Sequence, residues 1–257
     1  EKIGLAMPYY RQEFLMNQLG FTLPRETMAN WIIYVAENYF YPIYERLHEE
    51  LLKRDLVHAD ETTCQVLREK GRTAEQTSYM WLYTTGSDAL TPIVLYDYQP
   101  SRKGSCAQNF LEGFRGLVQC DGYQGYNKLG KAVNYAQNHH DTLMNYLLDG
   151  RCEISNNRAE RKAKSYAIGR KAFLFHTSEI GAGASEVMYS IVETAKANNL
   201  NIFQYLYTVL LYMPDYMNSS AGIEQLMPWS EFIKEQCSGL IAVESNVPEK
   251  RNPLPHR

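Results

Sequence analysis

"LVHADETTCQVL" (residues 56–67) is the stretch that decides how the rest of the chain is read. Leu56, Val57, Val66 and Leu67 bracket it with apolar side chains, and Thr62 and Thr63 are β-branched, so it reads as a strand. At its centre stand two carboxylates, Asp60 and Glu61. A buried charge costs several kcal/mol unless it is paired or binds a cation. Acidic residues where a sheet takes apolar ones therefore call for partners elsewhere in the chain.

Working outward toward the C-terminus, "TSYMWLYTTG" (77–86) and "PIVLYDYQP" (92–100) are two further strand-like runs. Gly71 marks the first turn and Gly86-Ser87-Asp88 the second. Tyr79, Trp81 and Tyr83 alternate with Met80 and Leu82, which predicts a strand buried on both faces. "SCAQNFLEGF" (105–114) reads as a short amphipathic helix, and "GLVQCD" (116–121) as a fourth strand ending in Asp121. Helices are then predicted over 130–150, over 155–171 with Ser155 or Asn156 as cap, and over 182–197 and 201–213. The tail beyond Gly239 is polar and proline-bearing. Three sequential strands, a helix, a fourth strand and then helices is the order of a ribonuclease-H-like α/β fold, a mixed sheet with flanking helices. In that order the first and fourth strands are neighbours.

Toward the N-terminus the texture is helical. "YRQEFLMNQLGF" (10–21) sets Phe14, Leu15 and Leu19 on one face, with Gly20 as a stop. Pro24 opens a second helix carrying Met28, Trp31, Ile32, Val35 and Ala36, then Tyr39 and Phe40. Pro42 is expected to kink or interrupt it before Ile43, Leu47 and Leu51 continue the period to Arg54. Two short helices around a glycine turn have helix-turn-helix geometry, but the same pattern fits a plain helical hairpin. If it reads DNA, Arg25 and Asn30 near the start of the second helix are the candidates. The expected division is 1–54 for the helix-turn-helix and its linker helix, 55–200 for the ribonuclease-H-like catalytic domain, and 201–257 for a C-terminal helix and tail.

Composition restricts the function classes. The 257 residues are 45% hydrophobic and 21% charged, ordinary for a soluble globular chain with ample core. A formal charge of −3 does not announce a nucleic-acid binder, so such a role must rest on a local patch. The five cysteines lack zinc-finger spacing and read as reduced core or surface residues of a cytoplasmic protein. No apolar run nears the ~20 residues of a membrane helix, and no leader precedes the first helix.

Three carboxylates occupy telling places: Asp60 within the first strand, Asp121 at the end of the fourth, and Glu160 in a late helix. Converging, they would form a hard-oxygen set suited to two magnesium ions, with manganese substituting, and to phosphodiester chemistry. Each taken singly also fits a structural role: an edge charge, a turn residue, one half of a helix salt bridge. Around Glu160 the chain is locally basic, since residues 151–171 hold seven Lys and Arg against two acids. Arg158, Arg161, Lys164, Arg170 and Lys171 are thereby candidates for DNA phosphates.

Taken together, "GLAMPYYRQE", "RETMANW", "HADETTCQVL", "SYMWLY", "YQPSRKG", "LVQCDGYQGYN", "DGRCEISNNRAERKAKSYAIGRKAFLF" and "YSIVETAKANNL" resemble the bacterial insertion-sequence transposases of the IS-sixty-six family. The resemblance runs from about Gly4 to Pro228. It implies a DDE transposase whose acidic triad falls on Asp60 in "HADET", Asp121 in "CDGY" and Glu160 in "NNRAER". It also implies DNA ends and target as partners, a homodimer or higher oligomer on DNA, and accessory proteins of the same element. Three departures accompany it. A cysteine cluster that the family carries ahead of these helices has no counterpart here, as expected of a fragment or trimmed chain. Pro24 stands where a serine is usual. After "DGYQGYN" the family's next strand and long helical insertion are missing near Asn127 and Lys128. Either two pieces are joined across an omitted segment, which the intact flanks favour, or the copy is degenerate. Two other functions stay open beside the transposase: a catalytically silent DNA-binding relic, and a nuclease of the same fold without strand transfer.

Overall fold

The computed structural model describes residues 2–86, 88, 90–120 and 155–238. The strand order predicted from the sequence is present. The long strand β1 (Leu56–Arg68) pairs antiparallel with β2 (Thr77–Thr85), and β2 antiparallel with β3 (Val94–Gln99). The fourth strand, β4 (Leu117–Gln119), lies parallel to the start of β1, with Leu56 opposite Leu117 and His58 opposite Gln119. Gly116 is required at this entry, because a Cβ there would run into the Asp55 carbonyl that accepts the Leu117 N–H at 2.7 Å. A short strand the sequence reading missed, β5 (His176–Ser178), pairs with the far end of β1. Three residues carry too little periodicity to be read from sequence.

Helices cover both faces. The N-terminal pair is α1 (Tyr9–Gln18) and α2 (Arg25–Val35), followed by a π-helical turn (Ala36–Phe40) and α3 (Tyr41–Leu52). The π turn ends where Pro42 opens α3, which is the interruption expected at that proline. On the same side lie α4 (Gly104–Phe110) and the C-terminal α7 (Ile202–Tyr216), α8 (Ser220–Gln225) and α9 (Glu231–Cys237); the last two were not anticipated. Val57, Ala59, Trp81, Tyr83 and Leu95 of the sheet form one core with Phe40, Ile43, Leu47, Tyr205 and Val209. The opposite face of the sheet, with Cys64, Met80, Leu82, Val94 and Tyr96, packs on Ala159, Ala163 and Tyr166 of α5 (Asn157–Phe173). The helix predicted over 130–150, Asp121 and Cys152 lie outside the described residues; the other four cysteines are buried and free. Among the described residues no helix is long and apolar enough to cross a membrane.

The apolar face of α1 does not enter a core: Phe14 and Leu19 are 65% and 60% exposed, and Trp31 of α2 is 57% exposed. The only α1 residue that is buried is Gln12, whose Nε2 donates to the Met7 carbonyl at 2.8 Å. The packing partner of α1 is α2, and a pair of helices alone cannot enclose both apolar stripes.

Helix α6 (Glu179–Ala197) runs along the outer edge of β3 and closes it. The N–H groups of Tyr98, Tyr96 and Val94 donate to Glu186 Oε2 (2.9 Å), Ser190 Oγ (2.8 Å) and Thr194 Oγ1 (3.0 Å). The Thr194 hydroxyl returns a bond to the Val94 carbonyl at 2.9 Å, and Asn198 Nδ2 donates to the Pro92 carbonyl at 2.8 Å. Burial and the nearby Asp97 push the Glu186 carboxyl up to about 8; burial pushes Asp97 itself up to about 7.

Both carboxyls are thus raised above the ordinary range near 4 that they have in the unfolded chain. The folded state holds extra protons, so stability is greatest below about pH 4 to 5 on this account and falls as pH rises toward 8. Glu186→Gln keeps an oxygen for the Tyr98 N–H and removes the titration. Thermal melts from pH 5 to 8 should show a declining midpoint for the natural chain and a flatter one for the variant. At pH 8 the variant should be the more stable by on the order of 1–3 kcal/mol.

Candidate functional site

The alternation of β1 sends its two central carboxylates to opposite faces. Asp60 is paired across the sheet with Leu82, which belongs to the core under α5, so Asp60 lies on the α5 side. Its Oδ1 accepts from the Glu61 N–H at 2.8 Å. Glu61 is paired with Trp81 on the other face, where its side chain is only 2% exposed. There Arg102, in the loop between β3 and α4, donates from Nε to Glu61 Oε1 at 2.6 Å. The two acids that look alike in sequence therefore occupy different faces: Glu61 meets Arg102 on one, and Asp60 lies on the side of the helix that carries Glu160.

Glu160 sits in the first turn of α5 and is exposed. Two side chains fix the start of that helix to the sheet. Asn156 Nδ2 donates to the Ala59 carbonyl at 2.9 Å, and Gln119 Nε2 on β4 donates to the Ser155 carbonyl at 3.2 Å. The Glu160 N–H donates to the Asn156 carbonyl at 3.1 Å. Further along, Tyr166 seats α5 through its hydroxyl against His176 Nε2 on β5, 2.7 Å away. Burial holds that imidazole neutral, pushed down to about 3. Gly169 lets the helix approach α6, since a Cβ would collide with the Tyr189 hydroxyl.

The structure thus brings the elements bearing Asp60 and Glu160 together on one face. Asp121, the third expected carboxylate, lies outside the described residues. Among the described residues there is no cluster of three or more His, Cys, Asp or Glu that could hold a metal ion. What fits a hard cation is the oxygen character of Asp60 and Glu160 and one further atom: Asn156 Oδ1 is buried and has no hydrogen-bond partner among the described residues. Asn156 and Gln119 were not singled out from sequence as site residues; Asn156 was read only as a possible helix cap.

The basic run separates into two groups. Arg161, Lys164 and Lys171 are exposed on α5, and Lys164 makes no ion pair with Glu160. Arg170 instead turns onto β1, donating from Nη1 to the carbonyl and hydroxyl of Thr63. Lys162 bonds Glu193 of α6 at 3.3 Å, and Arg158 is half-buried. In the N-terminal pair, Arg25 and Asn30 are exposed; Arg25 Nε pairs with Glu26 at 3.1 Å, and its N–H donates to Glu13 at 3.2 Å.

Comparison with known proteins bears on the family of the chain. The profile described as Transposase IS66 family matches residues 1–131 and 127–184, and that described as IS66 C-terminal element matches residues 190–229. The uncharacterized protein y4qI of Sinorhizobium fredii is 22% identical over 329 positions, covering 89% of this chain and 60% of that protein. The uncharacterized protein y4jD of the same organism is 22% identical over 327 positions, covering 89% of this chain and 64% of that protein. The chain therefore spans less than two thirds of the length of these relatives. Both alignments run over more positions than the chain's 257 residues, and the family match divides at residues 127–131, where the sequence lacks the expected segment. No solved structure matches.

The split of the basic residues has a direct consequence. Lys162→Ala should lower stability by roughly 0.5–1 kcal/mol by leaving the buried Glu193 with one fewer partner, whereas Arg161→Ala and Lys164→Ala should stay within about 0.5 kcal/mol. Chemical denaturation of the three variants checks this.

Proposed function

The chain belongs to the IS66 transposase family, and from that premise we propose that it is a DDE transposase acting on the ends of a bacterial insertion sequence. In this reading residues 55–200 form a ribonuclease-H-like catalytic unit, residues 1–54 contribute a helix-turn-helix, and residues 201–257 a C-terminal helix and tail. Asp60, Asp121 and Glu160 hold two magnesium or manganese ions. The observation that carries the reading is the seating of Glu160's helix on the sheet, by Asn156 onto Asp60's strand and by Gln119 of the neighbouring β4. The sequence separation between paired residues of β1 and β4 is also the separation between Asp60 and Asp121, which supports the third member.

Bound divalent cations supply an activated oxygen and neutralise charge at the scissile phosphodiester. Water adds to phosphorus as the bond to the 3′-oxygen breaks, and the freed 3′-hydroxyl then attacks a target phosphodiester in line, losing its proton as the target strand's own 3′-oxygen departs and is protonated. The chain's own residues bind and orient. The carboxylates would hold the cations that meet the reacting phosphate, and Arg161, Lys164 and Lys171 contact neighbouring phosphates from the exposed side of α5. Arg170 and Arg158, engaged within the protein, contribute less. Arg25 and Asn30 are the candidates for reading the element end.

A second reading, a silent DNA-binding relic, is favoured by the two-piece family match. Incubation with element-end DNA, a target plasmid and magnesium separates the readings. The transposase nicks the end and joins it to the plasmid, a nuclease of the same fold only nicks, and a relic binds without cutting. Asp60→Asn and Glu160→Gln should each reduce cleavage by at least about a thousandfold while retaining DNA binding, since the electrostatic and metal contributions they provide are of that order. Retained cleavage in either variant removes that residue from the triad.

Lys164→Ala should weaken binding alike on all duplex sequences. The slope of log affinity against log salt should become shallower by about 0.9, the loss of one phosphate contact. An unchanged slope, measured by titration at several salt concentrations, would take Lys164 out of the DNA interface.

A further inference from the structure

Asn156 joins the two carboxylate-bearing elements, and its hydrogen bonds are not those its position usually makes. An asparagine ahead of a helix's first turn ordinarily accepts, through its side-chain oxygen, an N–H of that turn. Asn156 makes no such bond. Its Nδ2 donates to the Ala59 carbonyl at 2.9 Å, and its own carbonyl accepts the Glu160 N–H at 3.1 Å. A single residue is thus bonded to the neighbour of Asp60 and to Glu160 itself.

The acceptor at Ala59 fixes which end of the amide is nitrogen, because two carbonyl oxygens do not hydrogen-bond. The remaining end is Oδ1. It is buried without a partner among the described residues, in a residue only 8% exposed. An unfilled buried acceptor is costly and uncommon in native proteins, and it asks for an occupant. Because both ends of the amide share one carbon, Oδ1 lies beside the backbone that carries Asp60.

We infer that Asn156 is a positioning residue of the cation site, setting Glu160's helix against Asp60's strand and offering Oδ1 to a water of the cation's hydration shell. The inference rests on the transposase reading given above. Magnesium and manganese keep several waters when bound by carboxylates, so a neutral oxygen beside the carboxylates has a donor to accept from. A neutral acceptor also adds no further negative charge to an acidic site. Gln119's bond to the Ser155 carbonyl is a second tie, so the turn retains one anchor when Asn156 is truncated.

The test is manganese binding to the full chain without DNA, followed by electron paramagnetic resonance of the free ion. Asn156→Ala should weaken manganese binding about tenfold or more, the effect typical of removing an outer partner of a metal site. The exposed neighbour variant Asn157→Ala should bind as the natural chain does. Asn156→Asp restores an oxygen, now anionic, without the donor to Ala59, and should bind manganese at least as tightly as the natural chain. Should Asn156→Ala fail to fold, Asn156→Asp decides alone, and weaker binding overturns the inference. If folded Asn156→Ala keeps the natural affinity while Asp60→Asn loses it, Asn156 has no part in the site and the transposase reading survives. If Asp60→Asn also binds normally, the cation site itself is wrong and both fall.

Discussion

The closure of β3 by α6 is the constraint on which the architecture depends. An open strand edge presents unpaired N–H and C=O groups that pair with other chains unless covered. Here Glu186, Ser190, Thr194 and Asn198, spaced by four, meet Tyr98, Tyr96, Val94 and Pro92, spaced by two. The fit is metric: four helical residues rise about 6 Å and two strand residues about 6.6 Å. Because the polar stripe of α6 is committed to the sheet edge, its flanking faces are left for the cores. Ala184, Val187, Met188 and Ile191 enter one, and Tyr189 enters the other. The same helix thereby fixes the N-terminal helices on one side and α5 on the other.

With that edge closed, charge burial in β1 can be divided between the faces. Glu61 is neutralised within the protein by Arg102, a structural arrangement in which each partner offsets the other's desolvation. Asp60 lies toward α5, whose first turn brings Glu160. The two adjacent acids of the strand thus lie in separate environments, one on each face. Trp81, between Glu61 and Asp97 in the cross-strand row, keeps these two acids apart from each other, and the sheet itself separates them from Asp60.

Much of this was legible from the sequence because it depends on short-range periodicity. The alternation in β2 gave its burial on both faces, turn residues separated the strands, and the period-four stripes located α3, α5 and α6. The order of these elements in turn predicted β1 and β4 as neighbours. Less was legible where periodicity was brief or misleading. The three-residue β5 and the short α8 and α9 carried too little pattern, and the apolar stripe of α1 does not reveal that its surroundings leave it exposed.

The sequence by itself determined the longer strands and helices, and which acids deserved attention, because backbone propensity and side-chain period act between neighbours. Tertiary structure alone decided what each polar residue does. Glu61 and Arg102 are 41 residues apart, Ala59 and Asn156 are 97 apart, and Val94 and Thr194 are 100 apart. Nothing local distinguishes an asparagine that caps its own helix from one that reaches to a strand, or a lysine on α5 that faces solvent from one that reaches Glu193. The difference lies in which partner the fold brings within about 3 Å, and for a buried polar group that partner decides whether it stabilises, destabilises or is left to bind something else.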